Sequence, residues 1–314
     1  MPCAIHSSGL FSYPRAHTHT HTHTHTTYSL YRPRRDPANP GPTILLPQFA
    51  SVQWLTSWYG MGKTSVKSPL NIPGRIAWIT MECPGFLTLL YTLRSVAARE
   101  GVADLPWQNQ VLAALFVIHY SYRAVLYPLL APSMSPVHAL VWAFALAFQL
   151  ANGVCLGGWL AGYGGGPTTP AAWARQLAPW PAAQFAAGLA VFYAGLAANY
   201  YHDDELREIR RREEDRLRRV AREQGKPLGS VEKHYSLPQA GLFRYVLYPH
   251  YLVEWIEWTG FYMAAGWTCA PARAFVVNEV FAMLPRTVSG KKWYIERFGE
   301  DKVGRRWAVI PGVI

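Results

Sequence analysis

The chain has 314 residues, half of them hydrophobic and only 16% charged, with a mean hydropathy near zero. A soluble chain carries about 25% charged residues, and here the charges are gathered into a few blocks, which excludes an ordinary soluble domain. The net charge of +11 and pI near 9.6 would suit a nucleic-acid binder. However, the basic residues lie between apolar spans, the positive-inside pattern of a membrane protein, so no nucleic-acid partner is expected. The expected fold class is all-α, a polytopic membrane helical bundle of about seven spans with a marginal first span. Cys3, Cys83, Cys155 and Cys269 are scattered without zinc-like spacing, so neither a disulfide framework nor a metal site is expected and each is read as a small buried apolar residue.

In chain order, residues 1–42 form a low-complexity N-terminal region. His17 to Thr26 alternates His and Thr strictly, as a CA repeat read in frame would encode, and a Pro- and Arg-rich run follows. No fold and no signal peptide are expected there. Residues 43–314 are read as the membrane domain. TILLPQFASVQWLTSWYG is apolar but interrupted by Pro47 and shorter than the ~20 residues that a bilayer core requires. A polar connector with Lys63, Lys67 and Arg75 precedes five apolar regions near 76–96, 107–130, 136–164, 180–202 and 243–268. A last region, 270–288, begins at Pro271. Trp107, Trp159, Trp180 and Trp267 mark their ends, as interfacial belts do.

Two basic blocks set the topology. One is the loop 205–234, whose Arg207–Lys233 stretch reads as a solvated helix extension laced with Glu–Arg pairs. The other is the C-terminal segment 286–314. An even number of spans separates them, so both are expected on the cytosolic side, with the Lys63–Arg75 connector.

Four spans carry polar groups at helical spacing, which points to a shared interior cavity. Arg75, Trp78 and Glu82 lie at i, i+3 and i+7. Tyr120, Arg123 and Tyr127 share a face, with His119 adjacent. Asn199, Asp203, Arg207 and Arg210 run along the end of the fifth region. His250, Glu254 and Glu257 fall at i, i+4 and i+7 within YPHYLVEWIEW. A protonated Glu82 and Tyr120 in a dry pocket are two hydrogen-bond donors able to polarise a carbonyl. Alternatively, Glu82 pairs with Arg75 or Arg123 and only joins helices. Arg207 and Arg210 suit phosphates, and Asn199 and Asp203 suit ribose or amide groups, which matches a phosphorylated cofactor. The alternative is that these arginines anchor to anionic lipid. No GxGxxG fingerprint is present, so a Rossmann domain is not expected.

At these residues the chain resembles the steroid 5α-reductase family, especially its fungal members. The matching segments are YGMGKTS with LNIPGRIAWITMECPGF, FVIHYSYRAVLYPL, NGVCLGGWLAGYG, GLAANYYHDDELREIRR, HYSLPQAGLFRYVLYPHYLVEWIEW and KKWYIERF…AVIPG. The resemblance implies a seven-span endoplasmic reticulum enzyme, C-terminus cytosolic, that uses NADPH to reduce a 4-ene-3-ketosteroid or related lipid. It implies that Glu82 and Tyr120 hold the substrate carbonyl while hydride adds at C5. For the cofactor it implies Tyr59, Trp78, Tyr127, Asn199, Asp203, Arg210, Tyr235, Glu254, Arg286 and Tyr294. Arg207 matches a family arginine, and His250 stands where animal members have Asn. Ser236 and Gly290 also depart from the animal pattern, as does the connector APSMSP, which lacks an Arg. Glu257 is read as a packing contact. No obligate protein partner is expected. Two other readings are an isoprenylcysteine-type membrane methyltransferase using S-adenosylmethionine and a catalytically inactive membrane protein. A methyl transfer has no need of a carbonyl clamp.

Overall fold

The structure is a computed structural model that describes residues 54–56, 58–102, 104–225 and 235–314. Residues 1–42 and most of the marginal first region lie outside the described residues. The helices are α1 (Gly74–Arg99), α2 (Trp107–Tyr120), α3 (Tyr127–Leu130), α4 (Ala139–Leu160), α5 (Pro170–Gln176), α6 (Pro181–Gln224), α7 (Pro249–Ala265), α8 (Ala270–Phe298) and α9 (Glu300–Val303). The protein is an all-α membrane bundle. Among the described residues, four stretches are long and apolar enough to cross a membrane: Gly74–Arg99, Trp107–Leu130, Ala139–Leu160 and Pro181–Gln224. Helices α7 and α8 fall on the last two expected regions and complete the bundle. The first is short, 17 residues, and the second is interrupted by Arg273, Glu279 and Arg286.

Several boundaries differ from the expected ones, each for a local reason. The region expected over 243–268 is helical only from Pro249, which suits the first helical position, after a single 3₁₀ turn at Gly241–Arg244. Past the apolar region ending near 202 the helix continues to Gln224, in keeping with the expected helix extension; nothing from Leu196 to Gln224 is Gly or Pro. Its exposed part pairs Arg212 with Glu208, Arg216 with Glu213 and Arg218 with Glu214, the expected Glu–Arg lacing. Regular helix was also expected through Tyr120, Arg123 and Tyr127. Instead Ser121–Leu126 is a π-helical stretch joining α2 to α3.

Lipid tails are as apolar as leucine, so helices in a membrane associate through close packing of small residues more than through burial from water. α6 packs along α7 through Gly188, Gly195 and Gly260. A Cβ on Gly195 would lie 2.6 Å from the Glu257 backbone. α1 packs along α4, and Phe116, Trp258 and Phe275 close the core between the two pairs. Cys269 is buried as expected, whereas Cys83 and Cys155 are only partly so.

Two small tethers fix the loops. Asn71–Ile72 (β1) pairs antiparallel with Val137–His138 (β2), and His138 donates its backbone N–H to Gly60 at 2.8 Å. The C-terminal segment runs beside the start of α7, with Leu247 N–H donating to Trp307 O and Tyr248 N–H to Ala308 O. A second apolar cluster around Tyr248, Trp255, Met283, Tyr294 and Val309 seals this end.

Candidate functional site

A cavity of about 240 Å³ opens where α1, α2, α4, α7 and α8 converge. Trp58 and Tyr59, at the end of the marginal first region, close one side. Phe144, Phe148, Met81 and Phe275 give it apolar walls, and Glu82, Tyr120, Gln149, Arg123, Glu254, Asn278, Glu279 and Arg286 give it polar ones. Tyr59, Trp78, Glu82, Tyr120, Glu254 and Arg286 therefore line one cavity.

Glu82 and Tyr120 are joined by a residue that the sequence reading missed. The Gln149 side-chain amide donates to Glu82 Oε2 and to Tyr120 Oη, the latter at 3.0 Å. Local sequence makes this possible. Pro84 lies inside α1 and Gly85 follows it; any Cβ at Gly85 would lie 2.4 Å from Gln149 Oε1. With its oxygen accepting from Gln149, the Tyr120 hydroxyl keeps its proton available to the cavity. The alternative of Glu82 paired with Arg75 is not what the structure shows. Arg75 donates to the carbonyls of Pro128 and Ala131, both at 2.8 Å, and ties down the end of α3.

The π-helical stretch follows Tyr120 directly and carries Arg123. Wide turns of this kind recur at functional sites because they re-aim successive side chains. Arg123 lies 3.4 Å from Asp203 and 3.8 Å from Glu254, and its guanidinium stacks 5.2 Å from the Trp78 and Tyr127 rings. Trp78 Nε1–H donates to the Arg123 carbonyl at 3.0 Å. One arginine thus ties together Trp78, Tyr127, Asp203 and Glu254. Behind this layer, His119 Nδ1 lies 2.7 Å from Glu257, whose side chain is fully buried. Glu257 accordingly sits in a packing position.

The remaining expected residues lie outside this cavity, toward the end of the bundle that holds the C-terminal segment. Arg207 bonds Asp204 and Tyr122. Arg210 donates to the Ser133 carbonyl at 3.3 Å. Tyr235 meets Trp293 edge-on at 5.1 Å, and Tyr294 stacks on Phe298. His250 packs among Phe243, Tyr248 and Tyr251. Within the cavity itself, Arg286 lies over the Tyr59 ring at 5.6 Å.

Lys63 was also missed, although it stands in the quoted YGMGKTS segment. Its ammonium lies 3.8 Å from the Tyr294 ring centroid and 4.2 Å from that of Trp293, and it donates to Tyr248 Oη at 3.2 Å. Burial, with the nearby Arg210 charge second, pulls its pKa down to about 7. The rings favour the charged form but do not outweigh the burial. An unfolded lysine titrates near 10.4, so between about pH 7 and that value the unfolded chain binds the extra proton and native stability rises with pH. Thermal unfolding of Lys63→Met in detergent should show a flatter rise across this window than the unsubstituted chain. Equal slopes would place the ammonium in water.

Residues 134–314 match the family model for 3-oxo-5-alpha-steroid 4-dehydrogenase. An uncharacterised protein of Schizosaccharomyces pombe is 33% identical over 80% of this chain and 89% of its own length. The steroid 5-alpha-reductase DET2 of Solanum lycopersicum is 32% identical, covering 85% and 92% respectively. The 3-oxo-5-alpha-steroid 4-dehydrogenase 1 of Mus musculus is 30% identical over 84% of this chain and 90% of that enzyme. The chain belongs to the 3-oxo-5-alpha-steroid 4-dehydrogenase family. Its members so named are oxidoreductases acting on a carbon–carbon bond, and the resemblance read from the sequence is thereby established. The family match runs through α4, α6, α7 and α8, and so takes in Gln149, Asp203, Glu254 and Arg286. The relatives' wider coverage reaches the α1 and α2 segments as well.

Proposed function

We propose that the protein reduces the C4–C5 double bond of a 3-oxo-4-ene steroid or related lipid enone with NADPH. It would do so in the endoplasmic reticulum membrane with its C-terminus in the cytosol. The observation that carries this reading is the Glu82–Gln149–Tyr120 arrangement on the wall of an otherwise apolar cavity. A carbonyl oxygen held there accepts hydrogen bonds from a protonated Glu82 and from Tyr120. Polarisation through the conjugated system makes C5 electrophilic, and the negative charge that develops on oxygen is stabilised where it forms. Protonation at C4 then completes the reduction. The aromatic walls exclude water and suit a flat lipid.

The residues present fit a nicotinamide nucleotide. Tyr59 Oη, Asn199 Oδ1, His250 Nδ1 and Glu254 Oε2 are buried without a hydrogen-bond partner among the described residues, and orphaned buried polar atoms mark positions that a ligand completes. NADPH, when bound, supplies the hydride. Glu254 would accept from its amide or ribose, with Trp78 and Tyr127 flanking, Asn199 and Asp203 taking hydroxyls, and Arg210 and Arg286 facing phosphates. Arg207, Tyr235, His250 and Tyr294 would complete the entrance. Membership in this family leaves the methyltransferase reading without support.

Microsomal protein should oxidise NADPH in the presence of one or more of a panel of 4-ene-3-ketosteroids and yield the C4–C5-saturated 3-ketone. Failure across the panel, in protein shown to bind NADPH, would overturn the steroid reading. Gln149→Leu keeps the bulk but removes both amide hydrogen bonds. It is expected to lower kcat about 10-fold or more with a smaller change in KM, because the clamp loses alignment rather than apolar contact. Steady-state kinetics on the accepted steroid measure this.

A further inference from the structure

A second cleft, of about 490 Å³, shares no lining residue with the cavity above. It lies between the turn leading into α7 and the segment following α8. Val246 and Val303, both 1% exposed, line it with apolar surface. Arg244, Lys302, Arg305 and Arg306 surround it, and Tyr245 and Trp307 stand at its edge. We propose that this cleft binds the phosphate-bearing headgroup of an anionic phospholipid.

The charge balance is the first ground. On the exposed part of α6, Arg212, Arg216 and Arg218 are each paired with a Glu three or four residues away. Arg244, Lys302 and Arg305 have no hydrogen bond or ion pair with a described residue, and among the described residues no acidic side chain lines the cleft. Arg306 is held in place by Pro238 O and Gln239 Oε1. Three like charges gathered around one concavity repel one another, and a phosphate relieves that repulsion. Glu300 and Asp301 are neighbours in sequence but do not line the cleft.

Position and chemistry are the second ground. Val246 forms a bridge with Trp307 only three residues before α7 begins, so the cleft stands at the end of a bundle helix. Tyr245 is 63% exposed and Trp307 38% exposed. Amphipathic rings of this kind settle at the headgroup level of a bilayer, and basic pockets beside membrane helices take anionic headgroups. A free phosphate has no use for the apolar floor and aromatic edge, whereas the glycerol and first acyl carbons of a phospholipid do. The proposal rests on the membrane fold and not on the reductase reading.

The test uses the full chain purified in a neutral detergent, with thermal unfolding followed during addition of dioctanoyl phosphatidylserine, dioctanoyl phosphatidylcholine or inorganic phosphate. Phosphatidylserine should raise the midpoint, and the other two should not. The combined Arg244→Gln, Lys302→Gln, Arg305→Gln variant should need at least tenfold more phosphatidylserine for the same rise, whereas Arg212→Gln with Arg218→Gln should respond like the unsubstituted chain. An equal rise with inorganic phosphate, no rise with phosphatidylserine, or an unaltered response of the triple variant would overturn the proposal. Should the triple variant not fold, brominated phosphatidylserine decides with the native side chains in place. It should quench a fluorescence component that Trp307→Phe removes, and equal quenching by brominated phosphatidylcholine would refute the assignment.

Discussion

Glu82→Gln is expected to reduce kcat by about 10²–10³-fold, the range seen when one donor to a developing oxyanion is lost. Its effect on NADPH affinity should be less than about twofold in a fluorescence titration, because the cofactor-side layer around Arg123 is left intact. The reason is specific to the geometry. The Gln149 amide already donates to Glu82 Oε2, so a glutamine at position 82 must turn its own oxygen toward Gln149 to avoid opposing two donors. That leaves an amide N–H facing the substrate carbonyl in place of a carboxylic acid. Shape and a hydrogen bond survive, but the strong donor does not. Unchanged turnover would remove Glu82 from the clamp.

Gly195→Ala should be among the most destabilising single-methyl changes in the molecule, at about 3 kcal/mol, the upper part of the usual range for overpacking. The added Cβ would fall 2.6 Å from both N and Cα of Glu257. These are backbone atoms, so no rotamer change relieves the clash and α6 must move off α7. That movement also disturbs the Glu257–His119 contact and the approach of Asp203 to Arg123. A lowered unfolding midpoint in detergent, with loss of monodisperse protein, is the expected result. An unaltered midpoint would mean that the α6–α7 seam is looser than the structure shows.

Much of this arrangement was legible from residues alone. Ionisable groups in apolar spans are costly enough to demand a polar interior, and that rule identified Glu82, Tyr120, Asp203 and Glu254 and placed them on inward faces. It applied equally to Gln149, in an otherwise apolar FQLANG stretch, but an uncharged amide stands out less against Ala and Leu than a carboxylate does. Glu279 lay on a region read only as a last span. The π-helical stretch was invisible because no residue in SYRAVL forbids a regular helix; tertiary contacts at Arg123 decide it. Lys63 looked like a topology marker, since only the folded chain brings Trp293 and Tyr294 around it. The helical extension of α6 beyond His202 was legible from its interleaved Glu and Arg, and it stops at Gly225, which takes the left-handed conformation that ends many helices.

That helix has a mechanical consequence. At 1.5 Å per residue, its 44 residues make a rod of about 66 Å, roughly twice the ~30 Å of a hydrocarbon core. From Leu196 to Gln224 it has no Gly or Pro at which to hinge. Asp203 and the outlying Arg218 therefore belong to one beam. A sideways load on the projecting end tilts the wall beside Arg123 by the same angle, without any intermediate residue having to change conformation.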